Sequence, residues 1–169
     1  MTEDQKAVAA GASSGIVFIA VSVWVLQALL PAPVVNDSSD KLAYAAQWIA
    51  LAAVPFFAMI VVVGNARFFS EAIDPTLHKE SQRMVVDGRV ADNTTQQLLL
   101  FAIGSLGLAV TLPAEDLPII GAAAITFVIV RIGFWVGYRI KPVHRAFGFA
   151  GTAYLNLSLI AAALWRSLT

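Results

Sequence analysis

Three residues in the last third of the chain have the types and spacing that could do chemistry. Arg131, Tyr138 and Arg145 follow one another at intervals of seven residues, so two helical turns separate each pair. Arg131 stands inside an apolar segment, where a charged side chain costs roughly 2.5–3.5 kcal/mol on insertion scales and marks a functional site by default. Guanidinium groups hold anions, and a phenol hydroxyl donates to an oxyanion or to sulfur. The spacing therefore predicts an anion site here.

Further polar residues stand at the ends of two earlier apolar segments. Asn65 and Arg67 follow one segment, and Arg89, Asn93 and Gln96 lead into the next. If these helix ends meet at one membrane surface, their side chains form a site for a small polyanion, and a thiolate there is favoured by the nearby positive charge. The candidate site residues are Asn65, Arg67, Arg89, Asn93, Gln96, Arg131, Tyr138 and Arg145.

Each of these residues also has a structural interpretation. Asn93 and Gln96 fit a helix N-cap with its reciprocal partner three residues later. Arg131 could snorkel or pair within the bundle, and Tyr138 could belong to an interfacial aromatic belt. The remaining arginines could anchor helix ends to lipid headgroups. The residues alone leave both interpretations open.

The composition is typical of a membrane protein. Of the 169 residues, 59% are hydrophobic and 13% are charged, whereas a soluble domain has nearly a quarter charged. Cysteine is absent, which excludes disulfides, thiolate metal sites and a protein thiol nucleophile. His78 and His144 lack the spacing of metal ligands, and we expect no metal site. Any thiol chemistry would need a bound small molecule to supply the sulfur.

Five apolar segments predict five transmembrane helices in a single domain covering residues 1–169. They lie at 7–30, 42–64, 94–112, 117–138 and 147–165. Their lengths match a hydrocarbon core of about 30 Å, and none alternates with the period of a barrel strand. The predicted fold class is an all-α integral membrane helical bundle. Pro142 and the short turn around it are expected to end the fourth helix before Arg145.

The distribution of Lys and Arg predicts the orientation. With five spans, the N-terminus, the long connection 65–93 and the 139–146 turn share one side. That side carries Lys6, Arg67, Lys79, Arg83, Arg89, Arg139, Lys141 and Arg145, and the other side carries Lys41 and Arg166. The positive-inside rule therefore places the N-terminus and the 65–93 connection in the cytoplasm and the C-terminus outside.

The ordered set of motifs resembles the MAPEG superfamily, the membrane-associated proteins in eicosanoid and glutathione metabolism. The motifs are Gly-Asn-x-Arg ending at Arg67, Arg-x-x-x-Asn-x-x-Gln starting at Arg89, and Arg-x6-Tyr-x6-Arg starting at Arg131. The resemblance covers residues 42–166, which match the four-helix protomer of that superfamily. Residues 7–30 then form an additional N-terminal helix. Similarity to bacterial members implies a bacterial inner membrane.

The resemblance implies a homotrimer that binds glutathione between protomers, near the cytoplasmic side. It implies that Arg67, Arg89, Asn93, Arg131 and Tyr138 contact glutathione. Arg145 matches the arginine proposed to stabilise the thiolate in leukotriene-type members, so Arg145 and Tyr138 are the candidate catalytic residues.

Two departures from the superfamily pattern bear on function. Gln96 stands where a Glu usually meets the amino group of glutathione, so a charge is lost there. The N-terminal helix is the second departure. The sequence therefore carries two hypotheses: a membrane-embedded glutathione transferase or peroxidase acting on lipophilic electrophiles or lipid hydroperoxides, and a non-catalytic protein of the same fold binding an anionic lipid or a partner protein. In either case we expect membrane lipid as a partner and no nucleic acid.

Overall fold

Five long α-helices form the bundle. The computed structural model describes residues 1–169, apart from the side chain of residue 75. The helices are α1 Glu3–Leu29, α2 Ser38–Phe68, α3 Gln82–Thr111, α4 Pro118–Ile140 and α5 Ala146–Leu168. Each helix is long and apolar enough to cross a membrane. The predicted number and type of elements are confirmed.

Local hydrogen bonds and prolines set the helix ends. Thr2 accepts from the Gln5 amide while the Gln5 side chain accepts from the Thr2 amide, which satisfies two free donors at the start of α1. Ser81 caps α3 in a similar way by accepting from the Met84 amide. Pro142 follows α4 and opens the 3-10 turn Pro142–Arg145, so α4 ends before Arg145 as predicted.

The predicted connection 65–93 is wrong in extent. Helix α2 continues to Phe68 and α3 already begins at Gln82, so only residues 69–81 connect them. The N-cap of α3 is Ser81, and the N-cap interpretation of Asn93 is therefore wrong. Hydropathy misses the helix over residues 82–93, because charged residues are spread through this segment and even its inward face includes Asp87.

Helix α4 lies at the centre of the bundle and packs against the other four helices. Helix α1 lies along α4 and α5. Glycines allow the closest approaches: a Cβ on Gly148 would come within 2.4 Å of the Val130 carbonyl oxygen. The rings of Phe101 and Phe127 pack with centroids 4.9 Å apart between α3 and α4. The core therefore lies where α3, α4 and α5 meet.

Basic residues gather at one end of this bundle. Lys141, just after α4, lies with its Nζ 3.4 Å from an Asp4 oxygen at the start of α1. At the opposite end, the Lys41 Nζ donates to the Leu112 carbonyl at 2.6 Å. These two contacts place Lys141 and Lys41 at opposite ends of the bundle. The compartment that each end faces stays a prediction.

Asn156 on α5 forms a hydrogen-bonded pair with α3 in the bundle interior. Its Nδ2 donates to the carbonyl oxygen and to Oε1 of Gln97, both at 2.9 Å. Its own Oδ1 is buried and finds no partner among the described side chains. Hydrogen bonds between membrane helices average about 0.6 kcal/mol each.

We expect Asn156→Leu to lower the free energy of unfolding by only about 1 kcal/mol, because the change also removes the unsatisfied oxygen. SDS-induced unfolding followed by circular dichroism measures this. A loss above about 3 kcal/mol would show that the pair is a main determinant of stability instead.

Candidate functional site

A pocket of 280 Å³ lies at the basic end of the bundle, between α3, α4 and the start of α5. Its walls are two arginines, an asparagine, a tyrosine and two phenylalanines. These residues are Arg89, Asn93, Phe134, Tyr138, Arg145 and Phe149. Four of the eight predicted site residues therefore line one pocket, although they come from three separate helix regions.

Ring contacts hold Tyr138 and Arg145 in this wall. Tyr138 is 7% exposed, so it faces the bundle and not the lipid, and the aromatic-belt interpretation is wrong. Its ring packs edge-on against Phe134 with centroids 5.9 Å apart. The Arg145 guanidinium lies over the Tyr138 ring, 4.7 Å from its centroid. A cation held over an aromatic face is fixed in position and still has its donors free.

Arg131 lies fully buried beneath the pocket. Its Nη1 donates to Asn93 Oδ1 at 2.9 Å, and its Nη2 donates to Thr152 Oγ1 at 2.7 Å and to the Gly148 carbonyl at 3.0 Å. Phe134 covers the guanidinium at 4.3 Å. Arg131 thus does not snorkel to the surface. It joins α3, α4 and α5, and it orients Asn93, whose side chain lines the pocket.

Three guanidinium groups give this pocket its positive charge. Arg89 and Arg145 line it and Arg131 lies directly below. Within the part of the chain whose side chains are described, none of the three forms an ion pair with a carboxylate. Arg89 and Arg145 are both exposed, so their guanidinium groups are accessible to an anionic ligand.

The other predicted residues lie outside this pocket. Asn65 and Gln96 are exposed, and Gln96 shares a helix face with Arg89 and Asn93. Arg67 is half-buried, and its Nη2 lies 3.4 Å from a Glu80 oxygen. Their assigned roles stay predictions, because the fold of the chain does not bring them to the pocket.

A buried ion pair between α3 and α4 was not predicted from the sequence. Asp87 on α3 is 2% exposed and accepts from Nε and Nη2 of Arg139 on α4, both at 2.7 Å. It also accepts from the Trp135 indole at 2.8 Å. The signal that could have found it is the spacing of Met84, Asp87 and Val90, which continues the inward face of α3 toward its N-terminus.

The chemistry available to this site is that of anion binding. The lining offers guanidinium, amide and phenol donors. Among the described residues no cluster of His, Asp or Glu could hold a metal ion. The donors suit carboxylates, phosphates or a thiolate, and the two phenylalanines suit an apolar portion of the same ligand.

These features define a polytopic α-helical membrane protein with a cationic pocket between its helices. The model of the MAPEG family matches residues 45–165, and the chain belongs to the MAPEG family. At the level of the family, it is a membrane protein of the eicosanoid and glutathione type of metabolism. The matched region covers most of α2 and all of α3 and α4, together with most of α5, so α1 lies outside it. No curated protein and no solved structure matches the chain.

Proposed function

We propose that this protein is a membrane-embedded glutathione-dependent transferase or peroxidase that acts on lipophilic electrophiles or lipid hydroperoxides. The observation that carries the proposal is the pocket itself. Arg89 and Arg145 line it without a carboxylate partner among the described side chains, in a chain of the MAPEG family. A positively charged pocket next to lipid suits an anionic thiol that reacts with a partner arriving from the bilayer.

The residues of the pocket fit the groups of glutathione. Guanidinium forks bind carboxylates bidentately, which suits Arg89 for a glutathione carboxylate. Asn93, held by Arg131 at 2.9 Å, presents a fixed amide for peptide groups. Tyr138 and Arg145 form the wall nearest the start of α5, where a helix N-terminus adds partial positive charge. These two residues are the candidates for holding the sulfur as a thiolate.

In the transferase reaction, bound glutathione would supply the sulfur nucleophile, which forms a carbon–sulfur bond while the leaving group departs. In the peroxidase reaction, two glutathione molecules would reduce a hydroperoxide to an alcohol and water and yield the disulfide. Arg145 lowers the thiol pKa through its positive charge. Tyr138 donates a hydrogen bond to the same sulfur. Phe134 and Phe149 form the apolar part of the wall beside it.

A homotrimer is part of the proposal, with the site completed by a second protomer. Small-molecule pockets usually measure about 300–1,000 Å³, and the pocket of one protomer, at 280 Å³, lies just below that range. Asn65 and Gln96 are exposed in the single chain, and a neighbouring protomer would bring such residues to the ligand. The trimer rests on family membership and on this incomplete enclosure.

The alternative is a non-catalytic protein of the MAPEG fold that binds an anionic lipid or a partner protein. Gln96 favours it, because an uncharged side chain there offers no ion pair to an amino group and a phosphate headgroup needs none. The same arginines would hold that phosphate.

Direct binding of glutathione to the detergent-solubilised protein tests the proposal. We expect calorimetric heat and a rise in melting temperature at millimolar glutathione, since a ligand at 100 times its Kd stabilises by about 2.7 kcal/mol. Arg166→Ala removes an arginine at the opposite end of the bundle, so this control variant should bind glutathione as the wild type does. Absence of both signals, together with stabilisation by anionic phospholipid, would favour the alternative.

A further inference from the structure

A second pocket of 280 Å³ lies next to Arg145, on the side that faces α1. It is lined by Val8, Pro142, Val143, Arg145, Ala146 and Phe149. Arg145 and Phe149 also line the cationic pocket. The two pockets are therefore neighbours that share one guanidinium and one aromatic ring.

The walls of the two pockets differ in chemistry. The cationic pocket has two arginines, an amide and a phenol. The second pocket, which we call the α1 pocket, has Arg145 as its single charged lining residue. Its other walls are apolar side chains, of which Val8 and Phe149 are 43% and 46% exposed. A pocket with this lining suits an apolar group of a ligand. Arg145 stands at its edge, where the polar part of the same ligand would begin.

Helix α1 is held firmly enough to form a wall. A Cβ on Gly15 would lie 2.3 Å from the Phe147 carbonyl oxygen, and a Cβ on Gly11 would lie 3.2 Å from the Ala146 Cβ. The helix backbones therefore touch one to two turns from Val8. Asp4 adds a contact to Lys141 at 3.4 Å. Val8 lies about one helical turn from Asp4 and from Gly11, and it lines the same pocket as Arg145.

We infer that α1, which lies outside the matched region of the family, forms the outer wall of the subsite for the lipophilic acceptor. The inference rests on the proposed function, because it assigns the cationic pocket to the thiol and the α1 pocket to the apolar group that receives the sulfur. Arg145 stands between them, next to the bond that forms. The acceptor class is a small apolar electrophile whose reactive atom reaches Arg145.

Binding of S-hexylglutathione and of glutathione itself separates the two subsites without relying on turnover. The hexyl chain extends from the sulfur, so it enters the α1 pocket if the inference is correct. We expect S-hexylglutathione to bind the wild type at least tenfold more tightly than glutathione, because its chain leaves water for an apolar pocket. Isothermal calorimetry in detergent measures both dissociation constants.

Filling the α1 pocket should remove this gain alone. Val8→Trp fills it from α1 and Val143→Trp fills it from the opposite wall, so a rotamer that escapes in one variant does not escape in both. We expect each to reduce the advantage of the hexyl chain to less than threefold, with the Kd for glutathione unchanged. Val17→Trp is the matched control, since Val17 is 62% exposed on the same helix.

With 1-chloro-2,4-dinitrobenzene as acceptor, the same two tryptophan variants should raise KM for the acceptor and leave KM for glutathione as it is. If glutathione binds but the hexyl chain brings no gain, or the gain survives in both variants, the inference about α1 is wrong and the proposed function stands. If neither ligand binds, the proposed function fails as well.

Discussion

Arg145→Ala is expected to lower kcat/KM for glutathione-dependent conjugation by about 100–1,000-fold. This is the loss typical of removing one hydrogen-bond donor that stabilises an anion, and it corresponds to about 2.7–4 kcal/mol. The reason is local. Arg145 lies over the Tyr138 ring at 4.7 Å, lines the pocket, and has no carboxylate partner among the described residues. Its charge is therefore free to hold a thiolate. The rate of 1-chloro-2,4-dinitrobenzene conjugation at saturating glutathione measures the effect.

The fold should survive this change. Arg145 is exposed, and it stands in the turn before α5 and not in the packed core. We therefore expect the same melting temperature and the same size by gel filtration as the wild type. Arg145→Lys keeps the charge but loses the planar fork, so its activity should be intermediate. Arg166→Ala, at the opposite end of the bundle, should keep full activity. Full activity in Arg145→Ala would refute the role assigned to this residue.

Asp87→Ala is expected to lower the free energy of unfolding by about 2–3 kcal/mol. Removing one partner of a fully buried ion pair costs about 3–5 kcal/mol, and the figure is lower here because Arg139 is 27% exposed. The change leaves two donors of Arg139 and the indole of Trp135 without their acceptor. SDS-induced unfolding in mixed micelles measures the loss.

A double variant shows whether the cost comes from the charge left behind. In Asp87→Ala/Arg139→Met the unpaired guanidinium is gone, and we expect at least half of the lost stability to return. Glu3→Ala, which removes an exposed ion pair with Lys6, should change stability by less than about 0.5 kcal/mol. If the double variant is less stable than Asp87→Ala, Arg139 contributes stabilising contacts beyond the ion pair.

The sequence by itself determined the fold class and the number of helices. A transmembrane helix satisfies all its backbone polar groups with its own hydrogen bonds, so the length of an apolar segment is enough to predict one. Pro142 likewise determined that α4 ends before Arg145, because proline cannot continue a helix from within. The motif order carried the family, which the match over residues 45–165 bears out.

The extent of α3 could not be read from hydropathy. Its first three turns are polar, and they are helical because Ser81 caps them and Asp87 has a partner on α4. A residue's partner on another helix is a property of the packed bundle, so Asp87 looked like a loop residue in the sequence. The consequence is functional, since these turns carry Arg89 to the pocket.

Only the tertiary structure decided which of the predicted residues meet. The seven-residue spacing placed Arg131 and Tyr138 on one face of α4, but packing separates their tasks: Arg131 is buried among α3 and α5, and Tyr138 lines the pocket with Arg145. Spacing along a helix determines which residues share a face, but it does not determine which helix that face packs against. For the same reason the position of α1 beside Arg145 came from packing, through glycines whose missing side chains let the backbones touch.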